Sequence, residues 1–363
     1  MSELGVRQLN RATLARQFLL RRSHRPVLEV TEHLVGLQAQ TPHTWYVGLW
    51  ARVAGCRPED VAGLLTSRRA VRIALMRSTI HFVSAADALA LRPLVQPALD
   101  RDLFQNNAYG RWMRGLDTDA VVAAGRDLLA DKPLTPAELG AALRDRWPGT
   151  DPAALAYAVR NLLPVVQTPP RGVWGRSGRT LHAPLEEWVG APVGGGSLET
   201  LVLRYFAAYG PATVQDLQTW CGLTKLTEVV ERLPLARFAD GYHDLPDAPR
   251  PDPDTPAPVR FLYDFDNLLL SHRDRGRFVT DGFRSKAVTP HGPVPRPVLV
   301  DGVTAAAWSV ATSGKARDRA ATLTVRVFEP LPAADRDAVT AEGLGLLAFL
   351  EPGAAHDVRI VAA

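Results

Sequence analysis

The chain has 363 residues, 46% of them hydrophobic and 22% charged, a composition typical of a soluble globular protein with two to four compact units. No run approaches the roughly 20 uncharged apolar residues of a transmembrane helix, and the N-terminal residues lack an apolar signal core, so we expect a cytoplasmic protein without a membrane partner. Two distant cysteines exclude a disulfide framework. The net charge of +4 comes almost entirely from arginine. Genome composition alone can produce such arginine richness, which permits a nucleic-acid partner but does not prove one.

A first helix-turn-helix module with two following strands is predicted over residues 1–116. Asn10 and Pro26 are typical of helix starts, and Pro58 with acidic neighbours indicates a third. The elements expected in this module are helices over 10–20, 26–40 and 57–67 and strands over 71–76 and 79–83.

The stretch Gln38-Ala39-Gln40, followed by Thr41-Pro42, is the most informative part of the sequence. Residues i and i+2 of a continuing helix point to different sides, and the residue before a proline favours extended backbone. We therefore expect the second helix to end between Gln38 and Gln40, where an unwound end brings both amides to one point. An amide can hold a water but cannot deprotonate it at neutral pH. On spacing alone, a solvent-facing helix cap is the favoured alternative.

Two more modules of the same kind are predicted over 117–196 and 197–281. Each has three short helices with turns of three or four residues, followed by strands, as in a winged helix. In the second module, strands over 165–168 and 179–182 flank a turn-rich segment, residues 169–178, which is typical of a protruding wing.

A small mixed α/β part is predicted over 282–363. Asp301-Gly302 is typical of a hairpin turn, and a helix over 335–347 and further strands are expected after it. The sequence thus predicts an α+β fold, with three tandem winged-helix modules and this C-terminal part.

Several other chemistries can be excluded from the sequence. A P-loop, a nucleophile elbow and zinc-ligand spacing are all missing, so no cofactor and no metal are expected. Residues 264–277, which join the third module to the C-terminal part, concentrate carboxylates, an amide, a histidine and three arginines. This segment is either a structural junction held by salt bridges or an edge whose arginines contact DNA phosphates.

Motifs spread along essentially the whole chain together resemble the AlkZ-type (AlkZ/YcaQ-like) tandem winged-helix DNA glycosylases. These motifs are Leu9-Asn10, Gly36-Leu37-Gln38-Ala39-Gln40, Arg77-Ser78-Thr79-Ile80-His81 and Phe265-Asp266-Asn267-Leu268-Leu269-Leu270-Ser271-His272. The resemblance implies three winged helices in a C-shaped monomer around a DNA channel. It also implies hydrolysis of the N-glycosidic bond of bulky alkylated purines, in antibiotic self-resistance or DNA repair, with some members unhooking interstrand crosslinks.

The resemblance also implies roles for individual residues. The Gln-x-Gln pair of that family is catalytic and maps onto Gln38 and Gln40, whereas the YcaQ-type branch has Gln-x-Asp there. The expected partner is double-stranded DNA containing an alkylated purine. The residues expected to bind this DNA are Arg77, His81, His272, Arg273, Arg275 and Arg277.

The chemistry of N7-alkylated purines suits two amides. Such a base carries a positive charge and leaves as a neutral molecule without a general acid, so the remaining task is to position a water. We expect a monofunctional enzyme, because a lyase needs an amine nucleophile and none of the four lysines lies in the first module.

Two alternatives from other classes are a winged-helix transcription regulator and a non-catalytic lesion-binding protein. A regulator predicts a dimer that reads a palindrome, yet no dimerisation helix or heptad is visible.

Overall fold

The computed structural model describes residues 3–288, 292–315 and 318–363. Met1 and Ser2 of the first predicted module and residues 289–291 and 316–317 of the C-terminal part lie outside the described residues. The fold is mixed α/β, with two five-stranded sheets and a two-stranded ribbon among the described residues. No helix in this part of the chain is long and apolar enough to cross a membrane.

The N-terminal part contains more helices than the sequence predicted. Helices α3, α5 and α6 were not expected; α3 is apolar on nearly all sides and therefore shows no amphipathic period. The elements in chain order are α1 (Val6–Arg16), α2 (Val27–His33), β1 (Leu37–Gln38), α3 (Trp45–Trp50), α4 (Pro58–Thr66), β2 (Ala70–Ala74), β3 (Ile80–Ser84), α5 (Ala85–Leu94) and α6 (Gln96–Gln105).

Helix α2 ends at His33, well before the glutamine pair, so the predicted helix end at residues 38–40 was wrong. Val35 and Gly36 adopt left-handed backbone, with φ of 56° and 86°, and turn the chain into strand β1. A Cβ on Gly36 would lie 2.3 Å from Val83 Cγ1, so the close approach of this turn to β3 requires glycine. Gln38 is therefore the last residue of a short strand, and Gln40 follows that strand.

One antiparallel sheet joins the first and second predicted modules. Its strand order is β1-β3-β2-β4-β5, and β2 pairs with β4 through Ile73 and Val166. The sequence led us to expect separate strand pairs, one for each module. The elements of the second region are α7 (Thr118–Asp131), α8 (Pro136–Arg144), α9 (Pro152–Leu162), β4 (Val165–Gln167), β5 (His182–Pro184) and α10 (Leu185–Val189).

The segment 169–178, predicted as a protruding wing, packs back onto helix α3. Tyr46 Oη donates to the carbonyl oxygen of Gly172 at 2.8 Å, and the backbone N–H of Trp174 donates to Tyr46 Oη at 3.1 Å. The Trp174 ring also lies 4.9 Å from the Tyr46 ring and 5.7 Å from Phe349. The apolar surface of Trp174 explains why the first half of this turn-rich segment packs against the protein, while residues 175–177 stay exposed.

The third region and the C-terminal part share the second sheet, of order β12-β11-β10-β9-β8. The predicted Asp301-Gly302 turn is confirmed, with φ of 45° and 81°, between β9 and β10. The remaining elements are α11 (Leu198–Tyr209), α12 (Val214–Cys221), α13 (Thr227–Arg232), β6 (Ala236–Arg237), β7 (His243–Asp244), β8 (Arg260–Phe261), α14 (Asp281–Lys286), β9 (Pro297–Val300), β10 (Val303–Ser313), β11 (Ala320–Val327), α15 (Ala333–Leu350) and β12 (Ala355–Ala362).

Buried ion pairs connect these regions. Both nitrogens of the Arg52 fork bind Asp266, at 2.8 and 2.7 Å, and Arg16 binds Asp244 in the same bidentate way. All four side chains are nearly inaccessible, so removal of one partner would leave an uncompensated buried charge. Asp266 belongs to residues 264–277, so this contact favours the structural-junction interpretation of that segment.

Replacement of Gly36 by alanine is expected to destabilise the protein by about 2–4 kcal/mol, since it adds overpacking against Val83 to the cost of left-handed backbone. Gly55 is the matched control, because it has φ of 66° and open space around a Cβ, and Gly55→Ala should cost only about 1 kcal/mol. Urea unfolding of both variants measures the difference. Equal losses would show that close approach to β3 is not what demands Gly36.

Candidate active site

Gln38 and Gln40 lie on one face of an extended segment. Gln38 pairs with His81 across β1 and β3, and the pairing continues where the Ala39 N–H donates to the Ile80 carbonyl oxygen at 2.7 Å. Side chains at i and i+2 of a strand point to the same side. Gln38 is 4% exposed, whereas Gln40 is exposed to solvent. The extended segment thus places both amides on the same side of the chain, whereas the sequence led us to expect a helix end.

Donor groups fix the orientation of both amides. Arg77 Nη2 donates to Gln38 Oε1 at 2.7 Å, and the backbone N–H of Ile80 donates to Gln40 Oε1 at 3.2 Å. Because a guanidinium and a backbone N–H can only donate, the atoms facing them are the carbonyl oxygens of the glutamines. Each oxygen keeps a second lone pair, and neither NH₂ group has a partner in the described part of the chain.

Arg77 connects three parts of the chain at this point. Besides Gln38, its guanidinium donates to the carbonyl oxygen of Trp220 in α12 and to Asn267 Oδ1 at 3.1 Å. Arg77 itself has left-handed backbone, with φ of 55°, which is uncommon outside glycine. The next residue, Ser78, anchors this turn, since its hydroxyl donates to Asp102 Oδ2 at 2.7 Å. The strained turn is therefore held from both sides.

The cation of Arg77 has no carboxylate among these contacts. Burial lowers the pKa of Arg77 to about 10, which leaves the guanidinium charged at neutral pH. Hydrogen bonds from a charged donor are stronger than those between neutral groups, so Gln38 Oε1 is held firmly.

A second buried arginine supports the backbone between the glutamines. Arg72 in β2 is 1% exposed, and its Nη2 donates to the carbonyl oxygen of Ala39 at 2.8 Å. Its Nε and Nη1 atoms are enclosed and have no partner in the described structure. Burial, together with the charge of Arg171, lowers the pKa of Arg72 to about 10.

One carboxylate touches the segment that follows the glutamines. Thr41 Oγ1 donates to Asp264 Oδ2 at 2.7 Å. The other oxygen, Asp264 Oδ1, is enclosed and has no partner within the described residues. Asp266, the other acid of this region that the sequence singled out, binds Arg52 with both oxygens. Asp266 therefore has both oxygens paired, whereas Asp264 is half-buried, with one enclosed oxygen and one that accepts from Thr41.

The sequence and the fold can both be compared with those of known proteins. The profile of the DNA glycosylase AlkZ-like family matches residues 31–349, which include the glutamines, Arg77 and Asn267. The chain belongs to the AlkZ-like DNA glycosylase family. The fold is similar to that of the Streptomyces sahachiroi DNA glycosylase AlkZ, with a TM-score of 0.77 and 20% sequence identity over 99% of this chain and 100% of that chain. A search of curated protein sequences found no match.

Four of the residues predicted to bind DNA in this AlkZ-like chain are bound within the protein instead, three of them buried and Arg77 half-buried. His81 is 0% exposed, His272 is 1% exposed with Nε2 bonded to the Tyr209 carbonyl oxygen, and Arg277 is 5% exposed with Nη1 bonded to the Pro211 carbonyl oxygen. These three side chains offer no surface to a phosphate. Arg77 is occupied by the three acceptors described above. We therefore replace the expected DNA contact by a structural role for all four residues.

Arg273 and Arg275 differ from those four. Both side chains are exposed, on a loop that begins where the Arg273 backbone N–H donates to Asp216 Oδ1 at 2.8 Å. They remain predicted phosphate contacts.

The sequence did not reveal Arg72 and Asn267 as parts of the site. Arg72 lies in a strand whose five residues are all buried, where an arginine is unusual, and that position was the one available signal. Asn267 was noticed only within the junction segment, because its contact with Arg77 joins residues that are far apart in sequence. No group of three or more His, Cys, Asp or Glu suited to a metal ion occurs in the described ranges.

The stability of the protein should fall in mild acid because of His81. Burial and the nearby Arg77 lower the pKa of His81 from the usual 6.5 to about 3. Below pH 6.5 the unfolded chain therefore takes up a proton that the folded state refuses, and unfolding becomes easier as the pH falls toward 3. Urea unfolding between pH 6.5 and 4.5 should show a slope smaller by roughly 1.4 kcal/mol per pH unit in His81→Phe. An unchanged slope would mean that His81 is protonated in the folded protein.

Proposed function

We propose that this protein is a monofunctional DNA glycosylase that hydrolyses the N-glycosidic bond of bulky N7-alkylated purines. Gln38 and Gln40 are the catalytic residues, and double-stranded DNA bound by a monomer is the substrate. The proposed lesions are antibiotic monoadducts and interstrand crosslinks, in self-resistance or DNA repair. No cofactor takes part in this scheme.

The observation that carries this proposal is the fixed orientation of the two amides. Their carbonyl oxygens are each held by one donor and keep one lone pair, so each can accept a hydrogen bond from a water, and in this proposal one water donates to both. Such a water is positioned with its own lone pair directed away from the amides. Positioning of this kind lowers the activation barrier because the water is already oriented before the reaction begins.

Amide oxygens also suit the charge that develops on the sugar. Loss of the base leaves an oxocarbenium-like centre at C1′, which the negative ends of the amide dipoles stabilise. An N7-alkylated purine needs no general acid because it leaves as a neutral base. The pairing of Asp266 with Arg52 and the contact of Asp264 with Thr41 are consistent with this restriction.

The exposure of Gln40 supports a bulky lesion. A snug pocket for a flipped base would enclose both amides, whereas here one amide is buried and the other faces solvent. A large adduct can therefore reach the glutamine pair from the solvent side without being enclosed in a pocket. The exposed Arg273 and Arg275 are the proposed contacts to the DNA backbone.

Gln38→Ala and Gln40→Ala should each lower the single-turnover excision rate of N7-methylguanine by roughly 10²-fold, while DNA affinity changes little. The physical reason is that a glycosylase that holds its water with two amides loses orientation when either is removed. Gln215→Ala, at an exposed glutamine in α12, is the matched control and should retain the wild-type rate. Wild-type rates in both catalytic-site variants would refute the assignment.

The enzyme should not excise neutral lesions. Uracil, 8-oxoguanine and hypoxanthine lack the positive charge that activates N7-methylguanine, and the two-amide scheme contains no acid that could supply a proton. Excision rates in matched duplexes under excess enzyme measure this difference. Comparable rates for any neutral base would reveal a general acid that the two-amide scheme lacks.

Asp264→Asn distinguishes the two-amide scheme from a scheme in which Asp264 is a general base. Asparagine keeps an acceptor for Thr41, so the excision rate of N7-methylguanine should fall by less than about tenfold, whereas loss of a true general base costs about 10²–10⁴-fold. A fall in the larger range, in a variant that retains the wild-type stability, would make Asp264 the base.

A further inference from the structure

A cavity with arginines in its wall is lined in part by residues that follow the glutamine pair closely in the chain. It has a volume of 390 Å³ and is formed by Pro42 and His43, just after Gln40, and by the folded-back segment with Arg171, Arg176 and Ser177. The other lining residues are three glycines of that segment, and none of the lining residues is acidic. We call this space the arginine cavity.

The wall of the arginine cavity is built and does not consist of loose surface side chains. His43 Nε2 donates to the carbonyl oxygen of Val173 at 2.8 Å, and Tyr46 Oη donates to the carbonyl oxygen of Gly172 at 2.8 Å. Arg171 is half-buried, and its Nη1 donates to the carbonyl oxygen of Gly178 at 3.3 Å. Arg176 is exposed.

Arg72 lies directly behind this wall. Gly172 lines the cavity, and a Cβ at that position would come within 2.8 Å of Arg72 Cδ and 3.1 Å of its Nη1. Arg72 has no carboxylate partner in the described structure, and its Nε and Nη1 atoms are enclosed without an acceptor. An unpaired buried cation is costly unless a negative charge from elsewhere compensates it. Glycine at 172 lets that charge come close.

The protonation of His43, which also lines the cavity, depends on the same arginines. Burial and the charges of Arg72 and Arg171 lower the pKa of His43, and it is therefore mainly neutral at pH 7. Since Nε2 carries the proton bonded to Val173, the positive charge of the cavity comes from the three arginines.

We propose that the arginine cavity binds a backbone phosphate of the DNA strand that carries the lesion. This inference rests on the proposed function, because the lesion strand is defined by the base held at the glutamines. Pro42 and His43 follow Gln40 in the chain, so a phosphate bound here belongs to a nucleotide close to the one being cleaved. Arg171 and Arg176 bind the phosphate oxygens, and Arg72 supplies charge from behind.

Such a contact would do more than add affinity. A phosphate fixed on one side of the glutamine pair sets the distance of C1′ from the bound water, which is a positioning role. It also explains why the segment predicted to be a protruding wing is folded back: its glycines and arginines complete a phosphate site beside the extended Gln-x-Gln segment.

Replacement of single phosphates by neutral methylphosphonates tests the proposal. The probe is a set of duplexes with one 2′-fluorinated N7-methylguanosine, whose glycosidic bond resists hydrolysis, and one methylphosphonate at each position near it in turn. At one or two adjacent positions, wild-type affinity should fall by about tenfold, the typical cost of one charge-assisted hydrogen bond. In the Arg176→Gln and Arg171→Gln variants, a methylphosphonate at the same positions should lower the DNA affinity almost no further.

Arg179→Gln is the matched control, since Arg179 lies in the same segment but binds Glu138 and does not line the cavity. It should keep the wild-type methylphosphonate profile. A full tenfold loss in Arg176→Gln and Arg171→Gln at every sensitive position would overturn the proposal. So would tight binding of inorganic phosphate at constant ionic strength without any methylphosphonate coupling, which would indicate a free-anion site.

The outcome is independent of catalysis, because affinity is measured on DNA that is not cleaved. A separate assay uses a duplex that contains N7-methylguanosine without the fluorine and the methylphosphonate. If the wild-type protein releases no base from that duplex, the proposed function fails while the phosphate coupling can still be observed. If base release is normal and the coupling is missing, the phosphate site alone is wrong.

Discussion

The contact of Arg77 with Gln38, Asn267 and the Trp220 carbonyl oxygen is the constraint on which the site depends. These three acceptors belong to the N-terminal part, the junction segment and helix α12, so one guanidinium aligns three regions of the chain. The fork geometry of arginine matches this task, whereas a lysine would present one point charge. The left-handed backbone at Arg77 shows that the surrounding packing imposes this position on the side chain.

Two arginines, one buried and one half-buried, contact the Gln-x-Gln segment and have no carboxylate partner among the described residues. Arg72 holds the Ala39 carbonyl oxygen and Arg77 holds Gln38 Oε1, so positive charge supports the first two residues of the segment. A protein whose ligand is a polyanion can maintain such an interior, because bound DNA supplies the missing negative charge. The amides remain uncharged, and their oxygens keep a free lone pair for a water. Charged groups thus support the Gln-x-Gln segment, while only neutral amide dipoles are available to contact a water.

Much of the secondary structure could be predicted because it depends on local signals. Thr135 and Thr213 form capping boxes where helices were expected, and the Asp301-Gly302 turn forms the expected hairpin. The signals failed where tertiary contacts decide. Helix α3 has no polar face, and the segment with Trp174 carries turn residues but is held by Tyr46 and Phe349.

The residues of the site also divide into those that the sequence revealed and those whose role depends on tertiary contacts. The glutamine pair could be singled out from its resemblance to a family, but the predicted helix end was wrong, because Gly36 turns the chain into a strand. Arg277 and His272 looked like surface groups within a charged segment, yet they are buried with backbone acceptors. A sequence shows the charge of a residue but not which long-range acceptor will satisfy it.

The most direct test of this account is a double-mutant cycle between Arg77 and Gln38. Single-turnover excision of N7-methylguanine would be measured for Arg77→Met, Gln38→Ala and the double variant, with thermal unfolding to show that each remains folded. If Arg77 acts by holding Gln38, Arg77→Met slows excision by roughly tenfold or more, and the double variant is no slower than Gln38→Ala alone. Losses that multiply in the double variant would show that the two residues act independently, and would contradict the account.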